Sequence, residues 1–598
     1  MSGKLLPVDP DSGGRAVLVS RVLVAAVQAA ALYLLTDAAK APRTWPATQP
    51  AVFVPLLLVF SYVPVLTLLG FGQIRGRALA LWAAIALIVL VVLGCHDVLR
   101  GRVADFVGAE THWPSPPLWL ALTSSLFVAN VLVVDSIVDR RLLTSYPRHF
   151  DTAWKFGVQC GLSVLFIGVF WGVLYLGAGL FKLVDIDYFR RLIEKRWFAF
   201  PATTLALAVA IHVTDVQPAL IRGVRSVALT LFSWLLPLLA GILLGFLASL
   251  PFISLLPLWK THFATALLLA AAGLLVLLIN SCYQDGEAEQ TRTRVKRIAV
   301  IVGAIELVPL VALAAWALAL RVGQYGWTVE RILAAAVIVI FASYAIGYAG
   351  STVRSPTWMK RIEITNLATA YVFLFLVVAL FSPIADPARL MVADQMARLR
   401  SGAVSPDKFD FRALKFDGAR WGAAALEQLA QAKEGPEAAT IAQMARQAQD
   451  LTNRYAGRSG TKPPATADEI SQRVAVYPAG RTLPKMFFDD AFVAVDDLHR
   501  PYCPFGMGRC VARFVSLRIG QPEVVVFIDF HSIGFLFEQD AAGHWKRTAQ
   551  LQGDFSCSRA REEVENGEIR LQPHAWPDLV IGGHPVEIYS FLHGCGDP

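Results

Sequence analysis

Long apolar segments recur from the N-terminus to about residue 385, and they limit the possible folds more than any other feature of the sequence. One example, at residues 264–280, reads ATALLLAAAGLLVLLIN and contains no charged side chain. A transmembrane helix needs about 20 mainly apolar residues, and within lipid the backbone must form its hydrogen bonds internally. Segments of this kind lie near residues 16–36, 51–72, 78–94, 118–136, 158–182, 197–216, 227–250, 264–284, 298–320, 332–351 and 367–385. The sequence therefore predicts a mainly α fold, a polytopic bundle of about eleven transmembrane helices, followed by a soluble α+β or mainly β domain.

The overall composition indicates the same class of protein. Charged residues make up 17% of the 598 residues and the mean hydropathy is +0.51, whereas soluble domains carry about 25% charged residues. Basic residues outnumber acidic ones before Asp386, and acidic residues predominate after it. A nucleic-acid-binding protein would instead carry a basic patch on a soluble face. The expected partner is therefore the lipid bilayer, and nucleic acid is not expected.

Loop charges predict the orientation in the membrane, because basic residues concentrate in cytoplasmic loops. With a cytoplasmic N-terminus, the inside loops include Arg140, Arg141 and the basic run 292–297. In the loops predicted to lie outside, the basic residues cluster at 182–196. Apolar and charged residues alternate there at helical spacing, which predicts an amphipathic helix in the membrane interface. We expect the first span to be an uncleaved anchor rather than a signal peptide. An odd number of crossings would then place the C-terminal domain in the periplasm of a cell whose inner membrane holds the bundle.

Four regions follow from these patterns: a transmembrane domain at 1–385, a helical extension at 386–456, a linker at 457–469 and a small β-rich soluble domain at 470–598. Asp386 and Pro387 are suited to begin a helix, as its cap and its first residue, and Gly402 is suited to end it. The linker is rich in Gly, Ser, Pro and Thr. Short alternating strands separated by turn residues predict the β-rich domain, with a hairpin turn at AAGH, 541–544.

Four of the seven cysteines, Cys503, Cys510, Cys557 and Cys595, fall in this last domain. An even number of cysteines in an oxidising compartment suggests disulfides. The preferred pairing is Cys503–Cys510 with Cys557–Cys595, one of three, and closing the longer loop would stabilise the fold by about 3–4 kcal/mol. Free thiols are one alternative. A zinc site with His593 is another, although the Cys503–Cys510 spacing is wide for zinc.

Ionisable residues inside predicted spans are candidates for function, because burying them in lipid is costly. Glu306 is followed by Pro309, which interrupts the helix, and it is a candidate proton relay or cation ligand. The structural alternative is a glutamate near a helix end that either extends toward the membrane surface or is hydrogen-bonded to a neighbour. His212 and Asp215 stand three apart, hence on one helix face, and form either a functional pair or an ordinary helix end.

Arg222 and Arg225 also share a helix face, and they are candidates to bind a phosphate or a lipid headgroup. A simple positive-inside anchor is the alternative. Phosphate-binding loops, dinucleotide fingerprints, zinc-protease motifs and nucleophile elbows are not found in the sequence. The sequence therefore indicates no catalytic residue, cofactor or metal, and it does not favour an enzyme.

Several strings together resemble a bacterial membrane-protein family called domain of unknown function 4153. They are LLINSCYQDG at 277–286, QYGWTVERI at 324–332, SPIADPARLMVADQMARLRSG at 382–402 and FDFRALKFDGARWGAAAL at 409–426. The resemblance covers about residues 1–430 and implies a multi-span bacterial inner-membrane protein without a settled activity. It supplies no site residues, and it does not extend to the cysteine-bearing tail.

Three functions remain open. The first is an envelope scaffold, sensor or assembly factor whose periplasmic domain binds an envelope protein or ligand. The second is a transporter or lipid-handling protein that uses Glu306 and the His212–Asp215 face. The third is a membrane-embedded transferase in which Arg222 and Arg225 grip a phosphate.

Overall fold

The computed structural model describes most of the membrane part and the strands of the C-terminal part. The described residues are 13–40, 42–101, 112–141, 143–252, 264–286, 293–352, 360–433, 437–451, 471–472, 474–490, 510–517, 522–528, 533–540, 542–552, 563–564, 566–567, 579–581 and 584–586. They form two compact units, Met1–Asp450 and Leu451–Pro598.

Within these ranges, eleven helices are long and apolar enough to cross a membrane, which confirms the predicted fold class. They are α1 (Gly13–Ala38), α2 (Pro50–Gly70), α3 (Gly76–Arg100), α4 (Pro116–Asp139), α5 (Tyr146–Lys182), α7 (Arg196–Val216), α8 (Pro218–Ser249), α9 (Ala264–Tyr283), α10 (Arg294–Tyr325), α11 (Val329–Thr352) and α12 (Arg361–Leu380). Proline stands at the start of α2, α4, α5 and α8, where its missing N–H leaves no hydrogen bond unmade.

Side-chain contacts show that the helices alternate in direction. The last turn of α1 and the first of α7 meet where Arg196 donates a 2.8 Å hydrogen bond to the carbonyl of Thr36. At the other end, Lys296 near the start of α10 reaches Ser233 of α8. We call this second end the basic end; there α2, α4, α7 and α9 finish and α3, α5, α8 and α10 begin.

The two largest apolar cores of the bundle each join three or more helices. One joins α8, α9, α10 and α11, and in it Gly303 of α10 stands directly against Leu275 of α9. The other joins α2, α3 and α4 around Phe53, Leu58 and Leu90. On the outside, α5 exposes a succession of large apolar side chains, including Val164 and Leu165. Exposed apolar surface of this extent is expected where a helix faces lipid.

The predicted interfacial helix is short. Helix α6 covers Tyr188–Ile193 and follows directly after α5. Its Ile193 is buried, while Arg190 forms an exposed ion pair with Glu194. The alternation of apolar and charged residues therefore does fold as a helix, but over six residues only.

Four further helices complete the first unit: α13 (Pro387–Arg400), α14 (Phe411–Phe416), α15 (Ala419–Ala430) and α16 (Ala438–Asp450). The predicted cap at Asp386 is confirmed, since its carboxylate accepts hydrogen bonds from the N–H groups of Ala388 and Arg389. Gly402, just beyond α13, has a positive φ of 71°, as a helix-ending glycine should.

In the second unit, five strands form one mixed sheet in the order β1-β2-β3-β4-β5. They are β1 (Val474–Tyr477), β2 (Cys510–Val515), β3 (Val524–Ile528), β4 (Ile533–Gln539) and β5 (Trp545–Gln552), with a short helix α17 (Lys485–Phe488) and a hairpin of β6 (Leu579–Ile581) and β7 (His584–Val586). Strands β1 and β2 are parallel and the others antiparallel. The predicted turn between β4 and β5 is confirmed at Gly543, whose φ is 89°. The segment EIRLQ at 568–572, whose sequence is also typical of a strand, lies outside the described residues.

Candidate functional site

One face of α8 carries a series of polar side chains at helical spacing. Arg222 and Arg225 occupy the first turns, and hydroxyl groups follow on Ser226, Thr230 and Ser233. Residues three, four and seven apart lie on the same side of a helix. The sequence therefore aligns two guanidinium groups and three hydroxyls along a single stripe at the basic end.

This stripe forms one wall of a pocket of about 420 Å³. The opposite wall comes from the end of α9, with Cys282 and Gln284, and from Lys296 in the first turn of α10. The pocket thus brings together Arg222 and Arg225, which the sequence predicted, and Lys296, which it did not. None of the described residues that line it is acidic.

Arg225 is held in a fixed position at the edge of the pocket. Its Nη2 lies 2.7 Å from Oδ1 of Asp151, whose side chain is 57% exposed. The guanidinium also lies over the ring of Phe150, 5.3 Å from its centroid, which is a favourable arrangement for a cation. Because Asp151 is well hydrated, this ion pair neutralises Arg225 only weakly.

Lys296 is a buried cation, only 9% exposed. Its Nζ donates a 2.7 Å hydrogen bond to Oγ of Ser233 and lies 4.5 Å from the ring centroid of Trp234. Neither Lys296 nor Arg222 makes an ion pair with any carboxylate that the structure describes. A buried charge without a counter-ion is costly, so an anion entering the pocket would find a cation already desolvated and oriented.

His212 and Asp215, the second predicted pair, are brought together around an unexpected partner. Arg21 of α1, 1% exposed, places Nη2 2.9 Å from Oδ2 of Asp215 and Nη1 3.3 Å from Nδ1 of His212. Lys155 and Gln73 reach the other oxygen of Asp215, each at 3.0 Å. The carboxylate is therefore fully occupied by side chains of the protein, and the network joins α1, α5 and α7 at the basic end.

Asn280 forms hydrogen bonds that join several helices. Asn280 of α9 donates to the hydroxyl of Tyr348 on α11 at 2.7 Å and accepts from Tyr146 of α5 and Asn366 of α12. Tyr348 donates onward to Asn366 at 2.5 Å. Four helices are thus fastened at one level of the bundle.

Glu306 lies apart from these networks, on α10 within the bundle. It is 3% exposed, and neither carboxylate oxygen has a hydrogen-bond partner among the described residues. The structure therefore does not bring Glu306 together with His212 and Asp215.

Of the four cysteines predicted to form disulfides, one lies among the described residues. Cys510 lies buried in β2, while Cys503, Cys557 and Cys595 lie outside the described residues. Over the part of the chain that the structure describes, no group of three or more His, Cys, Asp or Glu is arranged to hold a metal ion.

Two residues at the basic end were missed by reasoning from sequence. Lys296 belongs to a basic loop-end run, a pattern that normally marks a solvated cytoplasmic anchor. Arg21 was missed because Arg15 already supplies the basic residue that is expected just before the first transmembrane span. A signal was present at Arg21, because an arginine six residues inside an apolar span is itself unusual.

Comparison with known proteins identifies a family but no individual similar protein. No curated protein and no solved structure matches the chain. The family described as Domain of unknown function (DUF4153) matches residues 57–431, a range that contains the pocket, Glu306 and most of the polar networks described above. Since this match spans well over half of the 598 residues, the chain belongs to the DUF4153 family, as its sequence motifs indicated.

Proposed function

We propose that this integral membrane protein binds the phosphate-bearing headgroup of an anionic lipid in the pocket between α8, α9 and α10. The observation that carries the proposal is Lys296, a buried cation that has no carboxylate partner among the described residues and faces the same cavity as Arg222 and Arg225. Arginine pairs with phosphate oxygens through two parallel hydrogen bonds, and lysine acts as a point charge. Hydroxyls of Ser226 and Thr230 add neutral hydrogen-bonding groups beside them.

A lipid is favoured over a free anion by the apolar surface beside the pocket. On α8, the side chains of Val227, Leu231 and Trp234 are each more than half exposed. They belong to the same turns as the lining residues Ser226, Thr230 and Ser233. A headgroup bound among the cations would therefore place its acyl chains along an exposed apolar helix surface.

The proposal is tested by the lipids that remain bound to the purified protein. Native mass spectrometry would compare wild type with Lys296→Gln and Arg222→Gln after addition of phosphatidylglycerol, phosphatidylcholine or glycerol phosphate. We expect wild type to retain phosphatidylglycerol in preference to the zwitterionic lipid and to the headgroup alone. Each variant should lose most of that preference, at least about tenfold in affinity, because removal of one charge-assisted contact costs about 1.5–3 kcal/mol.

Arg294→Gln is the matched control, since Arg294 is an exposed residue of the same helix that does not line the pocket. Its lipid retention should equal that of wild type. Equal loss in Arg294→Gln would indicate only a general attraction of lipid to positive charge. Binding of glycerol phosphate as tight as binding of the lipid would show that the ligand is a soluble anion, and unchanged retention in Lys296→Gln would refute the site.

A second candidate function concerns the C-terminal unit as an envelope scaffold, sensor or assembly factor. We propose an inner-membrane protein with a cytoplasmic N-terminus and a periplasmic C-terminal unit that binds an envelope protein or ligand. Support comes from the odd number of candidate spans, from loop charges, and from a sheet with its own apolar core around Phe487, Phe527 and Phe537. Pull-down with and without residues 470–598 tests it, and identical partner sets would contradict it.

A periplasmic location also agrees with the proposed disulfides Cys503–Cys510 and Cys557–Cys595. Thiol labelling of the denatured protein provides the test. We expect the three cysteines of the membrane part, Cys95, Cys160 and Cys282, to react without reduction. The other four should react only after a reductant is added, and reaction of all seven without reductant would exclude the pairing.

A further inference from the structure

Glu306 is a buried carboxyl group that takes no part in the pocket. Helix α10 packs against α8, α9 and α11, and one turn before Glu306 the α-carbon of Gly303 abuts Leu275. From Ile298, where the apolar stretch of α10 begins, Glu306 is about 12 Å along the helix. This depth is beyond the reach of a side chain that extends toward water at the membrane surface.

The other buried acidic residues that the structure describes all have partners. Asp135 lies 2.8 Å from His149, Asp386 lies 2.9 Å from His96, and Asp97 accepts hydrogen bonds from Ser115. Both oxygens of Glu306, by contrast, lack a hydrogen-bond partner within the described ranges. An ionised carboxylate placed this way in an apolar interior would carry a large desolvation cost with nothing to offset it.

Charged groups on the surrounding helices do not compensate Glu306. The titratable residues on α8, α9, α10 and α11 are Arg222, Arg225, Cys282, Tyr283, Arg294, Lys296, Arg297, Arg321, Tyr325, Glu330, Arg331, Tyr344 and Tyr348. Lys296, on the same helix, is about 15 Å away along the axis and is hydrogen-bonded to Ser233. Tyr348 is engaged with Asn280 and Asn366.

We propose that Glu306 is a proton-binding site within the membrane bundle, which holds one proton at neutral pH in the structure described here. The neutral carboxylic acid tolerates an apolar environment far better than the carboxylate does. Movement of α10 that brought water or a cation to the carboxyl would release the proton, so a conformational change at this position is linked to proton uptake and release. Pro309 lies three residues further along and removes one backbone hydrogen bond of α10, which weakens the helix where such a movement would occur.

The test uses dicyclohexylcarbodiimide, a lipid-soluble reagent that modifies protonated carboxyl groups. The carboxylic acid adds its O–H across one C=N bond to form an O-acylisourea, and acyl transfer to nitrogen then gives a stable N-acylurea. The product contains every atom of both reactants, so the modified peptide gains the mass of one reagent molecule. Full-length protein in liposomes would be treated at neutral pH, digested and examined by mass spectrometry.

We expect the peptide that contains Glu306 to carry the adduct in wild type and in the control Glu363→Gln, and to lack it in Glu306→Gln. Infrared difference spectra of wild type against Glu306→Gln should also show a band from a protonated carboxyl group. Absence of both the adduct and the band in wild type would overturn the proposal. Protection of Glu306 by sodium at neutral pH would also overturn it, because it would show that the carboxyl binds a metal cation rather than a proton.

Discussion

Arg21 is a buried cation whose charge is balanced inside the membrane part. Besides Asp215 and His212, its guanidinium donates hydrogen bonds to the backbone carbonyls of Leu68 and Phe71, at 3.2 and 2.9 Å. These carbonyls belong to the last turn of α2 and the residue that follows it, where helix geometry leaves carbonyls unpaired. One side chain therefore completes the end of α2 and fixes its position relative to α1 and α7.

Replacement of Arg21 by glutamine should destabilise the protein by about 3 kcal/mol, because removal of one member of a buried ion pair leaves the other without compensation. Lys155 and Gln73 still reach Asp215, which keeps the loss at the lower end of the usual range. Thermal unfolding in detergent measures the effect. Arg15→Gln on the exposed part of α1 is the control, and equal melting temperatures for the two variants would contradict this role.

Replacement of Glu306 by leucine should stabilise the protein rather than destabilise it. An unpaired buried polar group costs about 1–3 kcal/mol, and leucine has a similar size with no polar atom. We expect a higher melting temperature than wild type, of a few degrees, together with loss of the carbodiimide reaction. A lower melting temperature would show that Glu306 has a stabilising partner.

Pairs of residues close together on one helix could be predicted from the sequence, but the residues of other helices that lie beside them could not. The spacing of His212 and Asp215 places them on one helix face, as does that of Arg222 and Arg225. Arg21 contacts His212 and Asp215 from another helix, and Lys296 of α10 lines the same pocket as Arg222 and Arg225. Spacing along one helix carries no information about contacts between helices. The depth of Glu306 could be read from its position in an apolar segment, whereas its lack of partners could not.

Among the helices, α13 shows how one residue joins two parts of the first unit. Asp386 caps α13, as its sequence predicts, and its carboxylate also lies 2.9 Å from Nε2 of His96 and 3.3 Å from Nε of Arg100. Burial alone would raise the pKa of Asp386. The hydrogen bond from His96, the charge of Arg100 and the capping N–H groups outweigh burial and lower that pKa below its ordinary value of 3.8.

This lowered pKa predicts a pH-dependent contribution to stability. A carboxyl group with a depressed folded-state pKa stabilises the fold above its unfolded pKa, and the stabilisation is lost as the pH falls through the folded value. Asp386→Asn keeps a good helix cap but removes the charge, so it should lower stability at neutral pH by about 1.5–3 kcal/mol. The difference from wild type should shrink below pH 3.8, and a difference that does not change with pH would contradict this explanation.

The spans themselves were the most predictable elements, because apolar length decides whether a helix can cross lipid. Their ends were less so. Helix α5 begins at Tyr146 rather than near 158, and α8 begins at Pro218 rather than near 227. In both, a polar first stretch continues the helix beyond the apolar segment, and hydropathy does not register such extensions. These extensions carry Asp151, Arg222 and Arg225, which line or border the pocket.

At the scale of the whole membrane part, the polar networks and the pocket gather at one end of the bundle. The Arg21 network, the Asn280 network and the pocket all lie at the basic end, while the His96–Asp386 contact lies at the other. An excess of basic groups on one side is the arrangement that favours a cytoplasmic location. The proposed topology, with a cytoplasmic N-terminus and eleven crossings, places the C-terminal unit in the periplasm.

The most direct test of this account is the location of the two chain ends in intact cells. Reporter proteins active only in the periplasm or only in the cytoplasm would be fused after Pro598 and before Met1. We predict periplasmic activity for the fusion at Pro598 and cytoplasmic activity for the fusion at Met1. Both ends on the same side would contradict the eleven crossings, and a cytoplasmic C-terminus would also remove the basis for the disulfides and for an envelope partner.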